Sequence, residues 1–218
     1  MVKRIVCFGD SNTWGSNAEN GTRFSEEVRW PCLLQKFAGN DYQIIEEGLP
    51  GRTSVIDDPL FDGLNGLNYL LPCLKSHAPI ETLIIMLGTN DTKERLHLTP
   101  YNIAQGITRL ALRAEEILKE INGESFNLFI VAPPPIGKEY ANTMVSWSMG
   151  KDCDVKSEQF PGYLKEMLAE HAIDFIDTKG IVSMNTIDYM HLDAEGHELL
   201  AKLIFNKIKK TIREEKMK

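Results

Sequence analysis

Four short polar segments of this 218-residue chain hold the side chains that acyl transfer needs. Ser11, in Gly9-Asp10-Ser11, offers a hydroxyl, and Asp188-Tyr189-Met190-His191 offers an acid three residues before an imidazole. Gly88-Thr89-Asn90-Asp91 offers an amide side chain, and Gly48-Leu49-Pro50-Gly51-Arg52-Thr53-Ser54 an unshielded backbone at Gly51. A serine hydroxyl is a poor nucleophile until a base takes its proton. The neutral imidazole of His191 would do so near physiological pH. Asp188, on one tight turn with it, would accept a hydrogen bond from the other ring nitrogen, fixing the tautomer and stabilising the imidazolium. Attack on a carbonyl creates an oxyanion, to which the N–H groups of Ser11 and Gly51 and the Asn90 amide would donate. One such donor is typically worth about 3–4 kcal/mol, or about 10²–10³ in turnover. Glycine at position 51 would let the backbone come close, with no Cβ in the way.

These segments lie far apart in the chain, so the elements between them must bring them together. Lys3 to Phe8 reads as an apolar strand that Gly9 breaks, which puts Ser11 where a strand hands over to a loop. A helix opens at Pro31 and stops at Gly39, the usual asymmetry of helix ends. Tyr42 to Glu46 is a second strand, followed by a turn-rich stretch from Gly48 to Gly66 and a short helix near Asn68 to Lys75. Thr82 to Leu87 carries no charge, as a central parallel strand does. Thr99-Pro100 opens a longer helix that Gly123 ends, with Ile103, Ile107, Leu110, Ala114, Ile117, Leu118 and Ile121 on one face. Asn127 to Ala132 is a fourth strand. A helix spans Asp154 to Glu170, with a kink or an early start at Pro161. Ile173 to Ile176 is a fifth strand, and the last helix begins near Asp193. Strands alternating with helices predict an α/β fold: a parallel sheet with right-handed crossovers and helices on both faces. No linker interrupts the pattern, so residues 1–218 read as one domain. Taken alone, Asp10-Ser11 and Gly88-Thr89-Asn90-Asp91 read equally well as turns, Gly51 reads better as a turn glycine, and Asp188-x-x-His191 reads better as a surface ion pair. Their convergence on the carboxyl edge of one sheet, where ligands bind in such folds, carries the signal.

Composition narrows the function classes. Apolar residues make up 43% and charged residues 25%, ordinary values for a globular protein. A net charge of −7 argues against nucleic acid as a partner. The basic cluster Lys207 to Lys218 is mixed with Glu214 and Glu215 and reads as the wet face of a terminal helix. No apolar run is long enough for a membrane span, and no secretory signal precedes the first strand, so a cytoplasmic location is expected. Cys7, Cys32, Cys73 and Cys153 are widely spaced, which fits reduced thiols better than disulfides or a zinc site. Cys7, inside a strand, is expected to pack. His77, His97 and His171 have no acid at useful spacing, and His197 has none three residues before it. A metal site on Asp188 and His191 lacks further ligands, so no metal or cofactor is expected. The loop after the first strand lacks the glycines and lysine of a phosphate cradle.

Taken in order, Gly9-Asp10-Ser11, Gly51, Gly88-Thr89-Asn90-Asp91 and Asp188-x-x-His191 resemble the four blocks of the SGNH, or GDSL-type, hydrolase superfamily. The resemblance implies a flavodoxin-like three-layer α/β/α sandwich with a five-stranded parallel sheet. It implies a Ser-His-Asp esterase with Ser11 as nucleophile, His191 as base and Asp188 as the orienting acid. It implies an oxyanion hole of Ser11, Gly51 and Asn90. Gly48 competes with Gly51 for that place; Gly51 is preferred because Gly-Arg-Thr begins there, as in related sequences. The segments from Arg4 to Gly15, Ile45 to Thr53 and Ile85 to Lys93 are similar to bacterial arylesterases. Some members of that subgroup also transfer acyl groups to alcohols, and the subgroup tends to form homo-oligomers that bury the approach to the site. The chain departs from the acyltransferase pattern at Pro50-Gly51.

The expected substrate is a small ester with a short, acetyl-type acyl group on an aryl or alkyl alcohol. A carbohydrate O-acetyl ester and a non-catalytic flavodoxin-like ligand-binding role are the alternatives. Trp14, one turn past Ser11, and Trp147, in the segment launched by Pro133-Pro134-Pro135, are the candidate substrate-binding residues. Trp14 would equally serve as packing under its loop, and the segment of Trp147 would also serve as a subunit contact or as core filling.

Overall fold

The computed structural model describes residues 2–216. Lys3–Gly9 (β1), Tyr42–Gly48 (β2), Thr82–Met86 (β3), Asn127–Ala132 (β4) and Asp174–Asp177 (β5) form one sheet in the order β2-β1-β3-β4-β5. Every neighbouring pair is parallel. This is the doubly wound flavodoxin-like order, in which the chain reverses its direction of travel between β1 and β3. All five residues of β3 are buried, as its lack of charge demands.

The helices are Ser11–Trp14 (α1), Trp30–Ala38 (α2), Gly66–His77 (α3), Pro100–Asn122 (α4), Val145–Met149 (α5), Cys153–Glu170 (α6) and Ala194–Lys216 (α7). Strand side chains alternate between the two faces of the sheet and split the core in two. Val6, Phe8, Leu83, Ile85 and Ile130 share one core with Leu70 and Leu74 of α3, Ile107 and Leu110 of α4, and Phe160 and Leu164 of α6. Ile5, Cys7, Ile84, Met86 and Val131 share the other with Trp30 and Leu34 of α2 and Leu200 and Ile204 of α7. Each such fully buried aliphatic side chain contributes about 1.5–3 kcal/mol. The result is three layers, with the sheet between the two groups of helices.

Helix α4 has the ends its sequence calls for. Thr99 and Asn102 form a reciprocal capping box, Pro100 occupies the first turn and Gly123 closes the helix. Helix α6 begins at Cys153 and continues through Pro161. Burial of Phe160, Leu164 and Leu168 offsets the backbone hydrogen bond that proline forfeits. The segment after the three prolines folds into a tight 3₁₀ turn, Lys138–Asn142, and then α5. Cys7, Cys73 and Cys153 are buried and Cys32 half-buried, and all four are free thiols. Cys7 packs in the core as its strand position predicts. Among the described residues no helix is long and apolar enough to cross a membrane. The basic cluster rides on α7 to Lys216, with Lys209 and Lys210 exposed; Lys218 lies outside the described residues.

Candidate active site

The crevice between β1 and β3, where the strand order reverses, is where this topology binds ligands. Three loops leave the sheet there. After β1, Asp10 caps α1 by accepting the Asn12 N–H at 2.9 Å, which puts Ser11 at the first helical position. The first N–H groups of a helix have no acceptor within it, so α1 does not consume the Ser11 amide. After β3, Asn90 opens the 3₁₀ turn Asn90–Thr92. After β2, Leu49-Pro50-Gly51-Arg52 closes a turn in which the Arg52 N–H donates to the Leu49 carbonyl at 3.1 Å. Gly51 has φ +85°, the conformation that the third position of a type II turn requires after proline.

His191 meets Ser11 across 180 residues of chain, with Nε2 3.0 Å from Ser11 Oγ. Its Nδ1 lies 2.6 Å from Asp188 Oδ2. The other carboxylate oxygen, Oδ1, accepts the backbone N–H groups of Met190 and His191 at 3.0 Å each and the Asn185 amide at 2.9 Å. Asn185 also donates from Nδ2 to the His191 carbonyl at 2.8 Å and accepts from the N–H groups of Ile187 and Asp188. The acid–imidazole turn is therefore locked from inside.

Asn12 locks it from outside. Its Nδ2 donates to the Met190 carbonyl at 3.2 Å and its Oδ1 accepts the Leu192 N–H at 2.9 Å, so the residue after Ser11 grips the backbone on both sides of His191. Asp91 does the same for the amide loops: its carboxylate accepts the Ser54 N–H at 3.0 Å and the Ser54 hydroxyl, tying the loop after β3 to the loop after β2. The Arg52 guanidinium donates to the Gly9 carbonyl at 2.9 Å and to the Glu47 carbonyl, and lies 4.2 Å over the Phe8 ring. The sequence reading assigned no role to Asn12, Asp91, Arg52 or Asn185. The available signal is position: Asn12 directly follows Ser11, and Asp91 closes the Gly88-Thr89-Asn90-Asp91 block.

Gly48 and Gly51 separate by geometry. A Cβ on Gly48 would stand 2.2 Å from the Trp14 backbone nitrogen, so glycine there lets α1 sit on the end of β2. Gly51 is half-buried in its turn, and its amide is not used by the turn's own hydrogen bond.

The floor of the crevice holds two buried acids. Burial pushes the Asp10 carboxyl up to about 6, against the pull of the Asn12 N–H and of His191. Burial likewise raises Asp91, against its hydrogen bonds from Ser54. Asp188 goes the other way. Burial works to raise it, but the hydrogen bond and charge of His191 and the two backbone donors outweigh burial and hold it well below the usual carboxylate range. A carboxylate that stays ionised beside the imidazole can orient and stabilise the imidazolium without taking its proton.

The structure thus brings together Ser11, His191, Asp188 and the Asn90 loop. Asn90 Nδ2 makes only a long contact, 3.5 Å, to Asp10 Oδ2, which leaves its amide with donor capacity. Trp14 ends α1, with the Arg23 guanidinium 5.2 Å over its ring. Trp147 stands 85% exposed on α5. His77 departs from expectation: Glu47, 30 residues earlier, lies 2.6 Å from its Nε2, a partner that sequence spacing could not reveal. A groove of about 880 Å³ runs along Leu67, Tyr101, Arg109, Leu112 and Met167 on the α3–α4–α6 face, and none of Ser11, Asp188 and His191 lines it.

Residues 7–199 match the GDSL-like lipase/acylhydrolase family. No curated protein matches the chain. Among solved structures, the native aryl esterase of Mycobacterium smegmatis is 32% identical, with a TM-score of 0.88 over 95% of this chain and 99% of that one. A carbohydrate acetylesterase from Sinorhizobium meliloti is 34% identical, with a TM-score of 0.85 over 96% of this chain and 99% of that one. A lipase/acylhydrolase from Enterococcus faecalis, 19% identical at a TM-score of 0.67, shares the fold. A serine, an imidazole and an acid in one hydrogen-bonded line at the switch point of this sheet are thus joined by a match over most of the chain: the protein belongs to the GDSL-like lipase/acylhydrolase family and is a carboxylic ester hydrolase.

Proposed function

We propose that the chain is a serine esterase working through Ser11, His191 and Asp188 and an acyl-enzyme, on esters with a short, acetyl-type acyl group. The observation that carries the reading is the line from Ser11 Oγ to His191 Nε2 at 3.0 Å and from His191 Nδ1 to Asp188 Oδ2 at 2.6 Å. In the forward half-reaction His191 takes the Ser11 proton as Oγ bonds to the ester carbon. The oxyanion is held by the Ser11 and Gly51 N–H groups and the Asn90 amide. The imidazolium then gives its proton to the leaving alkoxide, and the C–O bond breaks. Water repeats the sequence on the acyl-enzyme and releases the acid and Ser11.

Trp14 and Trp147 are the proposed apolar walls for the ester. A charged clamp is the proposed frame of the wider mouth. Asp58 accepts Lys93 at 3.0 Å and Arg95 at 2.6 Å, and Arg95 also donates to the Ser148 carbonyl on α5. The clamp joins the loop of Leu60 and Phe61 to the helix of Trp147, so the apolar rim is held as one surface. That surface is the proposed contact between copies of the chain in a homo-oligomer. An aryl or alkyl acetate is the first reading. An acetylated sugar is the second, favoured by the 34% identity to the carbohydrate acetylesterase. The family membership sets aside a purely ligand-binding role.

The test is hydrolysis of p-nitrophenyl acetate. Ser11→Ala should abolish turnover with an unchanged melting temperature, and Asn90→Ala should lower kcat by about 10²–10³. Wild-type rates in both variants would refute the assignment. A panel of aryl acetates and acetylated sugars, with and without added alcohol, separates the two substrate readings and hydrolysis from transfer.

A further inference from the structure

Where β2 meets α3, three side-chain donors gather that ester hydrolysis does not use. Glu47 is the penultimate residue of β2, and Cys73 and His77 stand one turn apart on α3. Side chains at such spacing project from one face of a helix. A carboxylate oxygen of Glu47, the Cys73 sulfur and an imidazole nitrogen of His77 all lie within 4.8 Å of one another. Their exposure is graded. Cys73 is fully buried, whereas the His77 and Glu47 side chains are 27% and 16% exposed. The thiol forms a floor, and the other two form a rim that an ion can reach from solvent.

One sulfur, one nitrogen and one oxygen donor suit a borderline-soft cation with tetrahedral preference and do not suit the hard, oxygen-seeking calcium or magnesium. We propose that Glu47, Cys73 and His77 form a binding site for one zinc(II)-type divalent cation, with water in the fourth position.

The required rearrangement is small. Zinc bonds of about 2.0–2.3 Å place tetrahedral N, O and S ligands about 3.3–3.6 Å apart. The Glu47–His77 pair, now hydrogen-bonded at 2.6 Å, must open slightly, and the sulfur must close in from at most 4.8 Å. Side-chain rotation on a fixed strand and helix supplies such shifts. Without metal, burial pushes the Cys73 thiol up to about 12, reinforced by Glu47, so it stays protonated. On binding, the S–H bond breaks, its proton leaves to solvent and the thiolate ligates the ion. The thiolate and the Glu47 carboxylate then neutralise the two charges of the cation. Arg52, fixed over the Phe8 and Tyr69 rings, is a nearby positive charge that weakens the attraction for the ion while favouring the thiolate. A bound ion would cross-link β2 to α3 beside the loop that carries Gly51.

The experiment uses the purified full chain with Co²⁺ as a spectroscopic probe and Zn²⁺ in competition with a chromophoric chelator. The expected result is one ion per chain, tetrahedral d–d bands and a sulfur-to-cobalt charge-transfer band. Cys73→Ser should abolish that band, and His77→Gln should weaken zinc binding more than tenfold and remove the zinc-induced rise in melting temperature. Should Cys73→Ser fail to fold, His77→Gln, at a half-buried position, decides alone. Cobalt binding without the sulfur band, no zinc binding at millimolar metal, or unchanged affinity in His77→Gln overturns the proposal. None of these outcomes depends on Ser11 or on turnover.

Discussion

Replacing Asp188 by asparagine isolates the task of a single oxygen. Oδ1 of Asp188 accepts three N–H donors, at 2.9, 3.0 and 3.0 Å. Oδ2 faces His191 Nδ1 at 2.6 Å. An asparagine has one oxygen, and three donors outweigh one, so that oxygen takes the Oδ1 place and the NH₂ group turns toward Nδ1. An amide N–H meets Nδ1 favourably only when that nitrogen is unprotonated. The ring proton then resides on Nε2, 3.0 Å from Ser11 Oγ, so a donor stands where catalysis needs an acceptor. The fold should persist, because the three-donor oxygen is kept. Turnover should fall about 10⁴-fold, the loss expected when a triad acid becomes its amide and the imidazole takes the wrong tautomer. That is about 5.5 kcal/mol of transition-state stabilisation at about 1.36 kcal/mol per factor of ten. Steady-state hydrolysis of p-nitrophenyl acetate measures the loss, and ¹⁵N shifts of the His191 ring report which nitrogen carries the proton. A folded variant that loses less than tenfold, or that keeps the proton on Nδ1, refutes the reasoning.

Asn12→Ala should leave the Met190 carbonyl and the Leu192 N–H buried without partners, at about 1–3 kcal/mol each, and lower kcat more than it raises KM; calorimetry and kinetics together check this, and an unchanged melting temperature counts against it. Asp58→Ala should destabilise the chain by about 3–5 kcal/mol, because Lys93, only 5% exposed, would lose its partner; urea titration reads the difference. The hydrogen bond from Arg95, with Lys93 and despite burial, holds Asp58 far below the usual carboxylate range, so its contribution is present above the unfolded value of about 3.9 and is lost on acidification below that value. Asp10 has the opposite sign. With its folded carboxyl raised to about 6 by burial, the folded state binds a proton between pH 6 and the unfolded value that the unfolded chain does not. Its contribution therefore grows as pH falls through that window, by a few kcal/mol in order of magnitude (about 1.36 kcal/mol per unit), and is lost as pH rises through 6. Asp10→Asn, which keeps an acceptor for the Asn12 N–H, should flatten that slope in denaturation curves at pH 4.5 and 7.5, and equal slopes in parent and variant would sink the idea.

The parts of the fold legible in the sequence are those whose signals are local. Apolar runs closed by glycine gave β1 and β3, and Thr99-Pro100 with Gly123 bounded α4 within a residue. Helices α1 and α5 left no readable trace. At four and five residues neither repays the entropy of helix nucleation by itself. Each is held by contacts from elsewhere in the chain: α1 through the Asn12 grip on residues 190 and 192, α5 through Arg95. Distance in the chain hid the Glu47–His77 pair in the same way. Propensity and periodicity report what a segment does for itself, and these features exist only after the sheet has assembled.

The same division explains why the candidate catalytic residues have a readable position in the chain while the substrate does not. A parallel doubly wound sheet delivers the residue after each strand to one edge, whatever the loops do later. Ser11, Gly51 and Asn90 are fixed by topology within a few residues of β1, β2 and β3. The acid and the imidazole need only one turn between β5 and α7. The mouth has no such anchor. On the proposed reading its two sides are the Leu60–Phe61 loop and α5, which leave different strands and are joined by a guanidinium that spans from Asp58 to the Ser148 carbonyl. Nothing in either segment alone encodes that span. On that reading acyl size and acceptor depend on a long-range charge contact and not on the motif.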